Sequence, residues 1–271
     1  MANLSKSEQH RLHRRYGPWA LVTGASSGIG KELATQLASA GLHLLITGRR
    51  AEALTQLSKT LMAQYTVEVK ALPGDLSKAS EVEKLIQQTQ SFHLGLVILN
   101  AGFGTSGEFV KAQLEQELNM LDLNCRALLM LTHHFSRQFN QNGRGGIILM
   151  GSLVGFQGTP NAAHYAATKA YVQSLGEALA LELKPQGVDV LTAAPGPVQT
   201  GFADRANMQM GKVLRPEEVG IPILKALGRQ ATVLPGWLTK VLVYSLRTVP
   251  RWAKVRIMKM VMGGMTQHQK T

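Results

Sequence analysis

Short apolar runs and segments of helical period take turns along the chain. Residues 19–24 (WALVTG), 42–48 (LHLLITG), 67–73 (VEVKALP), 95–102 (GLVILNAG), 145–152 (GGIILMGS) and 187–196 (GVDVLTAAPG) read as strands. Most are unbroken Val, Ile and Leu stretches rather than alternating ones, as a parallel sheet covered on both faces requires. Between them the spacing of apolar positions predicts helices near 28–40, 50–64, 78–90, 112–141, 162–185 and 216–228, and residues 231–236 (ATVLPG) are expected to add a last strand. Such alternation builds βαβ units and a doubly wound parallel α/β sheet. No repeat, low-complexity tract or linker interrupts the pattern before about residue 232. One domain, 1–235, is therefore expected, followed by a basic amphipathic helical extension, 236–271.

Composition narrows the picture in three ways. A chain of 271 residues, 45% hydrophobic, can bury a sizeable core and is not a disordered one. Its one cysteine, Cys125, excludes an internal disulfide and points to a reducing, cytoplasmic compartment. The opening residues hold cations but no apolar run, so no secretory signal is expected, and nothing reaches the roughly 18 uninterrupted apolar residues of a membrane span.

The net charge of +12 is high, and the total alone does not choose among nucleic acid, anionic lipid and an acidic ligand. Its distribution says more. After Glu218 there is no Asp or Glu, whereas Lys225, Arg229, Lys240, Arg247, Arg251, Lys254, Arg256, Lys259 and Lys270 follow. From Pro250 onward the cations intersperse with Trp252, Val255, Ile257, Met258, Met260, Val261 and Met262. On a helix, Arg251, Lys254 and Met258 fall along one side and Trp252, Val255 and Met262 mark another, an imperfect amphipathicity. That mixture fits peripheral contact with an anionic membrane better than nucleic acid, and no nucleic-acid partner is expected. Packing on the chain's own domain or in a subunit interface is the open alternative.

Candidate chemistry begins at residues 23–30, TGASSGIG, where the first strand gives way to the first helix. Gly24, Gly28 and Gly30 let the backbone turn sharply and approach a pyrophosphate, whose charge faces the helix N-terminus. The spacing is GxxxGxG, and its place in a βαβ unit points to a dinucleotide. At the end of the second strand an acid would hydrogen-bond the ribose of NAD, and an arginine would accommodate the 2′-phosphate of NADP. Gly48 stands where the acid would, and Arg49 follows, which favours NADP. Asp75 either caps the next helix, in competition with Ser77, or accepts from the adenine amino group. Asn100, Ala101 and Gly102 end the fourth strand with small groups that can lie against the cofactor.

Tyr165 and Lys169 stand one helical turn apart in NAAHYAATKA (161–170). A phenol of ordinary pKa near 10 is a poor acid and base at neutral pH, and a neighbouring ammonium lowers that value. Ser152, leaving the fifth strand at its C-terminal end, reaches the same crevice and can hydrogen-bond a carbonyl oxygen. A hydride from a nicotinamide with a proton from Tyr165 would reduce a ketone or aldehyde. No metal-ligand spacing is present, and none is expected.

The set of motifs resembles the short-chain dehydrogenase/reductase family over about residues 16–228, most closely its ketoacyl and hydroxysteroid reductase branch. It comprises TGASSGIG, the Asp of GDLS, NAG at 100–102, Asn124 in LDLNCRA, Ser152 thirteen before the tyrosine, YAATK, and PGPVQT at 195–200. The resemblance implies a Rossmann-like fold, with Tyr165 as acid/base, Lys169 holding the nicotinamide ribose, Ser152 orienting the carbonyl and Asn124 carrying a relay water. It places Ser26, Ser27, Ile29, Leu76, Pro195, Gly196, Val198 and Thr200 around the cofactor, with Thr200 at the carboxamide. Leu99 stands where the family usually has a first Asn. The segment 201–216, with Phe202, Met208, Met210, Val213 and Leu214, falls at the family's substrate lid, and its apolar character favours a hydrophobic, lipid-like carbonyl or alcohol. A homodimer or homotetramer through 112–141 and 162–185 is also implied.

Other conspicuous residues read as structural. His164 is expected on the surface, His133 and His134 at ordinary helix positions, Cys125 as a packed small residue, and the methionines after 207 along a flexible apolar surface. The rival functional reading is a nucleotide-binding protein with weak or no turnover that docks through its basic tail.

Overall fold

The computed structural model describes residues 3–211, 213–246 and 248–269. Arg247 and Lys270 of the basic run lie outside the described residues. The chain opens with a helix that the apolar pattern does not announce, α1 (Lys6–Tyr16). Its segment is polar apart from Leu12 and Tyr16, both fully buried. Ser5 caps it by accepting from the Glu8 amide.

Then follow β1 (Trp19–Thr23), α2 (Gly28–Ser39), β2 (His43–Gly48), α3 (Ala51–Gln64), β3 (Val69–Pro73), α4 (Ala79–Thr89) and β4 (Leu94–Leu99). The second half runs α5 (Leu114–Leu121), α6 (Leu128–Asn142), β5 (Gly145–Met150), α7 (Ala163–Glu182), β6 (Val188–Ala193), α8 (Phe202–Arg205), α9 (Pro216–Ala226) and β7 (Thr232–Val233). Two tail helices complete it, α10 (Trp237–Ser245) and α11 (Arg251–Met265).

The sheet is parallel throughout, in the order β3-β2-β1-β4-β5-β6-β7. Strands β4, β5 and β6 are buried at every position, and their sequences are apolar apart from Asp189 and Thr192 of β6. Two cores result. Leu33, Leu37, Ile46, Leu54 and Ile223 pack on one face, and Val97, Leu128, Phe135, Phe139 and Val172 on the other. The chain reverses direction across the sheet between β1 and β4, and a crevice opens at their C-terminal ends, the switch point where such sheets bind ligands.

Three expectations about elements need correction. The long helix over 112–141 is interrupted by a π-helical stretch, Asp122–Ala127, between α5 and α6. A π turn bulges the helix by one residue, and this one carries Asn124. The last strand shrinks from 231–236 to Thr232–Val233, since only those two residues pair with β6. In the tail, Trp252 and Met262 do not share a side: Met258 and Met262 are buried together, and Trp252 is exposed. Among the described residues no helix is long and apolar enough to cross a membrane.

Candidate active site

Asn100 ties the glycine loop to the crevice floor. Its amide donates to the carbonyls of Thr23 (3.0 Å) and Gly24 (3.3 Å), while Thr23 Oγ1 accepts from the Asn100 and Ala101 amides at 2.9 Å. The loop itself tolerates only glycine at its tightest point. Gly28 has φ +56°, and a Cβ there would meet Thr200 Cγ2 at 2.7 Å. A Cβ on Gly30 would run into the Gly24 carbonyl. Backbone amides at the start of α2 are thus left bare of side chains, the cradle a pyrophosphate needs. The loop fits a dinucleotide.

One cavity of about 440 Å³ runs from this loop to the far end of the crevice. Every site residue inferred from sequence lines it except Gly30 and Asn124, which lie behind its wall. At one end are Arg49, Arg50, Asp75 and Leu76. Arg50, which sequence reasoning passed over in favour of its neighbour, donates to Ser26 O and Ser26 Oγ, both at 3.2 Å. Arg205 of α8 is a second residue missed, since nothing local ties it to a strand end. Burial lowers its pKa, and so do the charges of Arg49 and Arg50. Among the described residues none of these three arginines has an ion-pair partner. Asp75 caps no helix: Oδ1 accepts from Ser77 N (3.2 Å) and Ser77 Oγ (2.9 Å), while Lys78 takes the N-cap of α4.

At the other end Ser152, Tyr165 and Lys169 converge. Ser152 leaves β5, and Tyr165 and Lys169 share the buried face of α7. The Ser152 hydroxyl accepts from the Val154 amide at 3.4 Å, and its influence on the Tyr165 phenol favours the ionised form. Lys169 Nζ donates to Met150 O at 2.8 Å and sits 5.9 Å from the centre of the Tyr165 ring. Here the electrostatics depart from expectation. Burial pushes the Tyr165 phenol up to about 12, against the pull of Ser152, and pushes Lys169 down to about 8. Desolvation governs the phenol, and the ammonium bonds a carbonyl and faces the ring.

The Asn124 side chain is committed inward. Oδ1 accepts from Phe103 N (3.1 Å), and Nδ2 donates to Phe103 O (2.8 Å) and Thr168 Oγ1 (3.1 Å). It therefore holds the loop after β4 against α7. His164 is half-buried, not a surface residue, and lies 2.7 Å from Glu117 Oε2. Cys125 is buried, as a packed small residue should be.

The roof comes from two stretches. Phe202 stacks at 5.3 Å on Tyr165, with Met208 and Met210 beside it. Val213 and Leu214 lie off the lining; Leu214 bridges instead to Val198 and packs on the core. The remainder is the tail: Leu242, Val243, Leu246, Ile257, Met258, Val261, Met262 and Met265. All the methionines after 207 except Met260, which stands in solvent, thus line an apolar surface.

A parallel sheet with a glycine cradle at its switch point and a Ser, Tyr and Lys at the next strand ends defines a dinucleotide-dependent oxidoreductase. A family model described as short chain dehydrogenase matches residues 18–211, and the chain belongs to that family. It is 33% identical to a 7beta-hydroxysteroid dehydrogenase of Clostridium sardiniense over 233 residues, 84% of this chain and 89% of that one. A solved structure from work on 7beta-hydroxysteroid dehydrogenase stereoselectivity superposes with a TM-score of 0.85 at 28% identity, covering 91% of this chain and 98% of the other. A short-chain dehydrogenase from Sphingobium yanoikuyae, solved in complex with NADPH, gives 0.80 at 31% identity, covering 89% and 95%.

Proposed function

We propose that the chain is an NADP(H)-dependent oxidoreductase that interconverts a carbonyl and an alcohol on a hydrophobic, lipid-like substrate. One observation carries this reading: the Ser152–Tyr165–Lys169 group lies in the same cavity as the glycine cradle and beneath an apolar roof. A nicotinamide dinucleotide bound along the cradle supplies or removes the hydride. Tyr165, held protonated by burial, gives its proton to the carbonyl oxygen in reduction and takes it back in oxidation. Ser152 holds that oxygen in place. Lys169 stabilises the phenolate formed as the proton leaves. Asn124 keeps the loop behind the reacting groups in position.

The choice of NADP rests on Gly48 at the end of β2 and on the unpaired cations of Arg49, Arg50 and Arg205 at that end of the cavity. A second copy of the chain would pack on the exposed leucines Leu114, Leu118, Leu121 and Leu129 along α5 and α6. The relatives that act on hydroxysteroids support a bulky apolar substrate.

Tyr165→Phe tests the reading. It keeps the ring packed on Phe202 and removes only the hydroxyl. NADPH should bind as before, by its fluorescence, while turnover across a panel from short aldehydes to long-chain ketones falls about 10²–10⁴-fold. Near-normal rates in the variant would refute the assignment.

A further inference from the structure

The tail helices are apolar on two sides, not one. Thr239 of α10 is buried, and Leu242 and Val243 of that helix line the cavity with Leu246 just beyond its end. On its other side Trp237, Lys240, Val241 and Tyr244 recur at spacings of three and four and stand in solvent. Trp237 is 65% exposed and Tyr244 59%. The next helix repeats the plan. Met258, Met262 and Met265 of α11 turn to the cavity, while Trp252, Arg256, Lys259 and Met260 face outward, Trp252 at 64% and Met260 at 79%. Arg256 lies 5.0 Å over the Trp252 ring, so cation and aromatic share one patch.

Between these faces lies a seam. Leu242, Ile257 and Val261 line the cavity and are nevertheless exposed, so the apolar interior meets solvent between α10 and α11. Arg251 adds a fourth exposed cation, and the segment has no Asp or Glu.

We propose that the outer faces of α10 and α11 dock on an anionic lipid surface, and that the seam between them passes the apolar substrate between bilayer and cavity. Tryptophan and tyrosine flanked by lysine and arginine match a lipid interface, where the rings sit at the headgroup level and the cations meet its negative potential. A second copy is a poor occupant. A two-fold contact sets a patch against itself, which here would bring the set Lys240, Arg251, Arg256 and Lys259 against the same set with no Asp or Glu of the tail to relieve it. The seam's role rests on the proposed reductase activity, whereas the docking does not.

The test uses the full chain without cofactor, sedimented with vesicles of phosphatidylcholine alone or mixed with phosphatidylglycerol. The mixed vesicles should carry the protein down at low salt and lose it at high salt, and the neutral ones should recruit it poorly. Replacing three cations together (Lys240→Gln, Arg256→Gln, Lys259→Gln) should weaken the partition constant roughly a hundredfold, with NADPH binding and melting temperature held. Should that variant fail to fold, brominated acyl chains in the mixed vesicles should quench the tryptophan fluorescence of the unaltered protein, since Trp237 and Trp252 lie on the docking face. Equal behaviour with both vesicle types and no quenching would overturn the proposal. So would an outer-face variant that dissociates a dimer while the intact protein ignores lipid.

For the seam, Trp237→Ser with Trp252→Ser should slow turnover of a long-chain ketone presented in mixed vesicles at least tenfold and leave a short soluble ketone unaffected. An equal loss on both would overturn the portal. If the intact protein reduces neither ketone, the reductase reading fails and the sedimentation result still decides the docking.

Discussion

The proposed preference for NADP turns on Gly48, one missing side chain, and the three arginines near it. An acid at position 48 would repel a 2′-phosphate and accept from a free ribose hydroxyl. The backbone has room for one: a Cβ on Gly48 would stand 3.5 Å from Ser26 Oγ, an ordinary contact. Gly48→Asp is therefore expected to fold normally and to reverse the cofactor preference. NADPH should bind at least tenfold more weakly, as loss of a charge-assisted contact of about 1.5–3 kcal/mol implies, while NADH gains. Fluorescence titration with both nucleotides checks it. The unaltered protein binding the two equally would remove the basis for the assignment.

Among the elements, α11 ties stability and substrate handling together most directly. Met262 is 3% exposed, and truncating a buried methionine costs about 2–5 kcal/mol. Because Met262 borders a cavity, Met262→Ala should fall near the low end of that range by chemical denaturation. It should also raise KM for a long-chain ketone and leave NADPH affinity unchanged, because the cradle lies at the other end of the crevice. Equal KM values in the two proteins would show that α11 does not shape the substrate site. The strands and the Tyr–Lys turn were legible in the sequence because each is written in local spacing: unbroken apolar runs, and two functional groups four residues apart. The helix α1 was not, because its two anchoring residues, Leu12 and Tyr16, are too few to form a stripe. Nor was the π stretch at Asn124, which keeps an ordinary helical pattern; the tail was legible as helical, but the two apolar faces of α11 hid which side would be buried. Arg205 belongs to the same class. Its neighbours Arg49 and Arg50 come from a distant strand end, and only the folded chain brings them together.

At the scale of the molecule, Asp189 at the start of β6 joins the first helix to the sheet. Its carboxylate, 2% exposed, accepts from Tyr16 OH (2.8 Å), Arg15 Nε (2.7 Å) and Lys184 Nζ (2.7 Å). Burial pushes its pKa up, but the bonds from Lys184, Tyr16 and Arg15 prevail and hold it below the ordinary 3.8. A carboxyl depressed by folding contributes stability that is complete above its unfolded pKa and is lost as pH falls through the folded one. Asp189→Asn should then cost about 2 kcal/mol at neutral pH, below the usual 3–5 for a broken buried pair, because Arg15 and Lys184 remain about half exposed. The gap between the two proteins should narrow as pH drops below 3.8; a constant gap down to strong acid would contradict the account. The placement of the roof has another consequence, one of timing. The cradle and the Ser–Tyr–Lys group are drawn from residues 24–200, but much of the cover over them comes from residues 242–265. Chains emerge from the ribosome N-terminus first. The groups proposed to meet nucleotide, Arg205 the last of them, are therefore synthesised before the tail that completes the roof.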